Sequence, residues 1–268
     1  MAEYKTIKGF KVQSLASDPT LVEGQVWYNT TGDALKYQAA VGAWASGGAL
    51  NSGRSDGASA GTQGAGLFFT GEPPGTKSKE NESYNGSTWT EEADLIVARY
   101  YAGGTGTQTA MCIGGQANPG DITNVETWDG TSWTEGNNIL VSNYGSRGVG
   151  ITTAALLVGG EAVDKTETWD GTSWTETNDL NTARRSGGGM GSQPAALYAG
   201  GNIPGGTTGV SESWDGTSWT VVNSLNTARG ECASSGTQAL GLVFGGTPES
   251  EPTPTSKRTE SWDGTSWS

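Results

Sequence analysis

The chain has 268 residues, a formal charge of −13, 44 glycines, 11 tryptophans and no histidine. The missing histidine excludes a Ser-His-Asp triad, imidazole metal ligands and imidazole general bases, and the lack of a Lys/Arg stripe argues against a nucleic-acid partner. A hydrophobic share of 33% beside that charge resembles the composition of disordered chains, but the glycines and tryptophans recur at fixed positions, which points to a fold.

Met1-Ala2-Glu3-Tyr4-Lys5 has no apolar core of a signal peptide, and no apolar run is long enough for a membrane span. The expectation is synthesis in a cytoplasm and no membrane insertion. Residues 1–36 match no full repeat. The stretch from Glu23-Gly24-Gln25-Val26 to Tyr37 reads as a hairpin that runs on into Ala43-Trp44, with Lys5 to Gln13 as an innermost strand. Residues 1–49 are therefore expected to form a hairpin segment, either a degenerate blade or a docking arm. Residues 50–268 are expected to form five repeats, the whole making one compact domain.

The repeat is a hairpin. Trp128-Asp129-Gly130-Thr131-Ser132-Trp133 recurs at residues 169–174, 214–219 and 262–267, with the variant Tyr84-Asn85-Gly86-Ser87-Thr88-Trp89 before them and a degenerate copy from Tyr37 to Trp44. The closing tryptophans are 41 to 48 residues apart. Asp-Gly predicts a tight turn, and the recurrence of the aromatic pair predicts that its two rings face each other. Each unit also holds a glycine-rich strand, an apolar strand such as Leu156-Leu157-Val158, and alternating residues before the first aromatic. Four short strands at this period spell a β-propeller: one small sheet cannot bury both faces, whereas radial stacking gives each face a neighbour. Small residues are expected on the crowded inner strands (Gly103-Gly104, Gly148, Gly187-Gly188-Gly189, Ala233-Ser234). Trp89, Trp128, Trp133, Trp169, Trp174, Trp214, Trp219, Trp262 and Trp267 are expected as the structural repeat positions. Counting the degenerate copy predicts six blades, with five as the alternative.

Little in this pattern reads as catalysis. Glu82, Glu126, Glu167, Glu212 and Glu260 recur two residues before the first aromatic, and Arg54, Arg99, Arg184 and Arg229 recur after the last strand. A catalytic carboxylate pair should be unique, so a repeated Glu–Arg or Glu–backbone tie is the better reading. Cys112 and Cys232 lie in different repeats within strand-like runs and read as buried thiols. Asp121, Asp164 and Glu161 lie in loops, where calcium is conceivable but solvated charge is the default. No catalytic residue, metal or cofactor is expected. The segments between second and third strands vary most (72–81, 116–124, 161–165, 202–209 and 247–257). They are expected as loops on one face suited to recognition. Asn118, Asp121, Asn202, Glu249 and Glu251 are the expected partner-contact residues there. Among aromatics, the unique Trp27, Tyr100, Tyr101 and Tyr144 are the better candidates for exposure and for stacking on a sugar.

The doublet Gly200-Gly201, the aromatic Trp214, the closing Trp219 and the following Arg229 resemble a kelch repeat, a likeness that spans residues 50–268. It departs at the third unit, where Ser142-Asn143-Tyr144 stands for Thr-Ala-Arg, and at the first, where Gly71 has no second glycine. The resemblance implies a kelch-like β-propeller, but the copper-oxidase chemistry of some kelch proteins needs histidines that are absent. Residues 213–219 also resemble the aspartate box of sialidases, one residue short and without an arginine triad. Asp18-Pro19 through Glu23-Gly24-Gln25-Val26-Trp27-Tyr28-Asn29 to Leu35-Lys36 resembles a module of tailed-phage virion proteins. Together these resemblances imply a non-enzymatic virion structural protein of a (marine) phage, such as a tail fibre, spike or capsid-surface component. Its partners would be other virion proteins and a host-surface glycan or protein, and it could form a homo-oligomer. A soluble lectin-like propeller is the alternative, with a carbohydrate-active enzyme third.

Overall fold

The computed structural model describes residues 3–7, 10–16, 26–31, 34–37, 44–107, 109–161, 163–248 and 257–268. The chain divides into two units, Met1–Gly47 and Gly48–Ser268. The first holds one sheet, β1 (Glu3–Ile7), β2 (Phe10–Leu15), β3 (Val26–Asn29) and β4 (Ala34–Tyr37), in that spatial order. β3 and β4 pair antiparallel, as the hairpin reading predicts. Lys5 to Gln13 is not a single inner strand: it is split between β1 and β2, which pair with each other. β2 and β3 run parallel, whereas a propeller blade is an antiparallel meander.

The second unit is a β-propeller of five blades, so the count is the alternative of five rather than six. Blade one is β5 (Ala58–Thr62), β6 (Ala65–Phe69), β7 (Asn81–Tyr84) and β8 (Trp89–Glu91). Blade two is β9 (Gly103–Gly106), β10 (Ala110–Ile113), β11 (Val125–Trp128) and β12 (Trp133–Glu135). Blade three is β13 (Arg147–Ile151), β14 (Ala154–Val158), β15 (Thr166–Trp169) and β16 (Trp174–Glu176). Blade four is β17 (Gly188–Ser192), β18 (Ala195–Ile203), β19 (Gly206–Trp214) and β20 (Trp219–Val222). Before blade five, β21 (Arg229–Gly230) pairs with β24 (Thr247–Pro248). Blade five itself is β22 (Ala233–Gly236), β23 (Gly241–Phe244) and β25 (Thr259–Trp262), closed by a bridge from Trp262 to Trp267. The segment expected as a loop at 202–209 is instead a continuation of β18 and β19, paired as far as Ile203 and Gly206.

Each hairpin places its two aromatics opposite each other, as in Trp128↔Trp133, Trp169↔Trp174 and Trp214↔Trp219, with ring centroids 5.3–5.6 Å apart. The aspartate makes the turn: Asp129 Oδ1 accepts from the N–H groups of Thr131 and Ser132 at 2.8 and 2.9 Å. Those bonds hold its carboxyl down at about 2. The same arrangement recurs at Asp170, Asp215 and Asp263, each held below the ordinary aspartate range.

The inner strands follow one another in the order β5, β9, β13, β17, β22. Their small residues are required by close approach. A Cβ on Gly104 would meet Ser59 O at 2.6 Å, and one on Gly148 would meet Gly104 O at 2.8 Å. Among the described residues, four apolar clusters fill the four junctions between successive blades. Each junction receives an aromatic pair from one side and second-strand residues from the other. Leu67, Met111, Leu156 and Leu197 are buried there, while their counterpart Leu242 in the last blade is 38% exposed. Trp89 is half-buried, and the closing tryptophans of the other four blades are buried. Cys112 and Cys232 are free and buried, as expected, and burial pushes the Cys112 thiol up to about 12.

Candidate functional site

The periodic charges are structural. Arg54 Nη1 meets Glu82 Oε1 at 2.5 Å, Arg229 Nη2 meets Glu260 Oε1 at 2.6 Å, and Arg99–Glu126 and Arg184–Glu212 make the same pair. The carboxylates also accept backbone N–H groups from the segment leading into the same blade, such as Asn51 to Glu82 at 2.7 Å and Ile96 to Glu126 at 2.7 Å. Burial alone would raise Glu82, but the Asn51 N–H and the Arg54 guanidinium reverse that and hold it below the usual range. Blade three departs. Its Glu167 accepts from Leu140 and Val141 at 2.9 and 3.2 Å, which places Asn143, not Tyr144, at the arginine position. Asn143 donates to Gly159 O and leaves Glu167 without a basic partner among the described residues. Burial therefore pushes the Glu167 carboxyl up, only partly offset by those two N–H groups.

Immediately after the arginine position the chain turns into each inner strand, and here the repeat stops being a repeat. The second residue after it is Asp56, Tyr101, Gly145, Ser186 and Glu231 in blades one to five. All five have φ between 52° and 73°, a conformation that costs a non-glycine residue about 1–3 kcal/mol. Four of them are joined in a backbone chain from blade one to blade four: Tyr101 N donates to Asp56 O at 2.9 Å, Gly145 N to Tyr101 O at 2.8 Å, and Ser186 N to Gly145 O at 2.6 Å. Arg147 of β13 reaches across to the later blades, donating to Gly187 O at 2.8 Å and Cys232 O at 3.3 Å.

Three tyrosines meet at this mouth. Tyr100 and Tyr101 lie 4.9 Å apart, and Tyr101 and Tyr144 5.8 Å apart. Lys77 sits over Tyr100 at 5.1 Å, and Arg185 sits over Tyr144 at 5.2 Å. Arg185 also donates to the Tyr144 hydroxyl at 2.6 Å and pairs with Glu161. Burial, then the charges of Asp56 and Glu231, push the Tyr101 hydroxyl up to about 12. Burial, then Glu72, raises Tyr100. Tyr100 and Tyr101 thus stay neutral beside carboxylates, and all three tyrosines present a half-covered ring. That combination suits a neutral polyhydroxyl ligand, with rings for its C–H faces and carboxylates for its hydroxyls.

The expected contact residues border this mouth in part. Asp121 is exposed and accepts from Gln116, which is itself bonded to the Tyr100 hydroxyl. Asn202 donates to Glu231 at 3.3 Å, as does Thr247 at 3.2 Å. Asn118 is exposed in the same segment as Asp121. Glu249 and Glu251 lie outside the described residues. Of the aromatics singled out from sequence, Tyr100, Tyr101 and Tyr144 are brought together, and Trp27 lies on β3 of the first unit. Asp56, Arg185 and Glu231 were not anticipated, although they lie at the first and second residues after the arginine position, where residue type varies among the blades. Among the described residues no group of three His, Cys, Asp or Glu is placed to hold a metal ion, and no helix is long and apolar enough to cross a membrane.

No protein-family model matches the chain, and no curated protein matches it.

Proposed function

We propose that this chain is a non-enzymatic recognition protein whose five-bladed scaffold presents the Tyr100–Tyr101–Tyr144 mouth to a carbohydrate on a host surface. We place it in the virion of a tailed phage, as a tail-fibre, spike or capsid-surface component. The observation that carries the recognition reading is the contrast within one repeat. Residues two before the first aromatic are always Glu and are consumed by the scaffold, while the second residue after the arginine position differs in every blade, and in four of the five it is a non-glycine residue held in strained backbone. Such strain persists only where the surroundings over-determine it, and it clusters at ligand sites. Variation on a rigid frame is how binding loops are built. The virion placement rests on the kelch-like order of Gly-Gly, Trp, Trp and Arg, and on the module-like stretch from Asp18 to Lys36. Mass spectrometry of purified virions tests the placement, and the protein should be found there at stoichiometric level. A glycan array tests the mouth. Tyr101→Ala should lose the bound glycan at unchanged fold, judged by near-UV circular dichroism. Glycan binding by a chain absent from virions would favour the lectin alternative.

A further inference from the structure

We propose that blade three binds a small monovalent cation, potassium or ammonium, at the place its sister blades fill with an arginine guanidinium. The sister blades define the site atom by atom. Arg99 donates to Val97 O, Gly114 O and Asn124 O at 3.3, 3.0 and 2.8 Å while pairing with Glu126. Arg229 repeats this with Thr227 O, Gly245 O and Arg258 O at 3.3, 3.2 and 3.0 Å while pairing with Glu260. Register transfers these acceptors to Val141 O, Gly159 O, Lys165 O and the Glu167 carboxylate in blade three. Asn143 satisfies only Gly159 O. Its Oδ1 is buried, with Asn143 itself only 4% exposed, and has no hydrogen-bond partner among the described residues. The ammonium of Lys165 is engaged elsewhere, by Glu176 at 2.7 Å and Asp179 at 2.9 Å. One buried negative charge and several oxygens therefore face a place that carries a single positive charge in four other blades. Hard oxygen donors select a hard cation. The N–H···O lengths of the sister blades suit ions whose oxygen contacts are as long as hydrogen bonds, which potassium and ammonium have.

The test is the melting temperature of the full chain near neutral pH at fixed ionic strength, in potassium chloride against tetramethylammonium chloride, whose cation is too bulky to enter. The wild type should melt about 2–4 °C higher in potassium at concentrations several-fold above the dissociation constant. Glu167→Gln, which removes the charge and keeps the shape, should abolish the difference between the salts. Asn143→Arg should also abolish it, with its melting temperature in tetramethylammonium rising to the wild-type potassium value or above. Equal melting of the wild type in the two salts would overturn the proposal, as would a potassium effect that survives in Glu167→Gln.

Discussion

Arg184 and Glu212 meet with both side chains wholly withdrawn from solvent. The arginine comes from the segment leaving blade three and the glutamate from the third strand of blade four, so one ion pair ties the exit of one blade to the body of the next. Arg184 also donates to Gly200 O at 3.0 Å and Thr182 O at 3.0 Å, so its guanidinium is satisfied on several sides. Arg184→Met should cost about 3–5 kcal/mol, because Glu212 is left as an uncompensated buried charge. Urea denaturation measures this. Adding Glu212→Met should recover only part of the loss, since the Asn181 N–H, 2.8 Å from the carboxylate, then lacks its acceptor.

The carboxylates of blades one and three predict opposite pH dependences. Glu82 is held below its ordinary value near 4.5, so its contribution is complete above that value and is lost as pH falls through the folded one. Glu167 is raised, so its ionised form is disfavoured in the fold: the penalty is absent below about 4.5 and grows as pH rises through the folded value. In tetramethylammonium salts, Glu167→Gln should gain stability over wild type progressively above that pH. Glu82→Gln should lose it, and the two differences should shrink together in acid. Urea melts across the pH series read both.

The tryptophan N–H groups predict a stabilising substitution. Trp219 donates to Thr166 Oγ1 in the preceding blade at 2.9 Å, and Trp267 donates to Ser211 Oγ at 3.1 Å. The corresponding neighbour of Trp174 is Val125, and Trp174 Nε1 is buried with no partner among the described residues. Val125→Thr supplies the acceptor at nearly constant shape and should raise stability by about 0.5–1.5 kcal/mol. Thr166→Val should lower it by about 1–3 kcal/mol, since it leaves the Trp219 N–H unsatisfied. Paired chemical denaturation curves would show the two shifts as opposite in sign.

Thr70 predicts another. Gly114, Gly159, Gly200 and Gly245 open the glycine doublets at φ 58–67°, and blade one carries Thr70 there at φ 60°. A β-branched residue is strained in that region, and the Thr70 hydroxyl is buried without a partner among the described residues. Thr70→Gly should stabilise the propeller by about 1 kcal/mol despite the extra freedom of glycine in the unfolded chain. Thermal denaturation of the single variant is sufficient to measure it.

These cases show which parts of the molecule were legible before the coordinates. Propeller architecture, the Trp128–Trp133 register, the crowded inner glycines and the Glu–Arg ties all follow from periodicity, because equivalent environments demand equivalent residues. The blade count did not follow. Tyr37 and Trp44 imitate the aromatic pair, but the β2–β3 pairing is parallel, and alternation in sequence carries no information about strand direction. The arginine position in blade three was misaligned by one residue, since Tyr144 is the more conspicuous side chain while Asn143 occupies the slot. The three tyrosines stood out as unique. Their meeting with Asp56, Arg185 and Glu231 depends on radial stacking that brings residues from five blades to one axis, and no local pattern records that.

The most direct measurement of the division between a periodic scaffold and a unique mouth is a glycan array read with wild type, Tyr101→Ala and Tyr144→Ala, each checked for an unchanged melting temperature. The account predicts binding of a defined glycan class by wild type and its loss in both variants, with melting within about 1 °C because half-exposed rings contribute little to the cores. A wild type that binds no glycan, or variants that bind as well as it does, would contradict the assignment of the mouth.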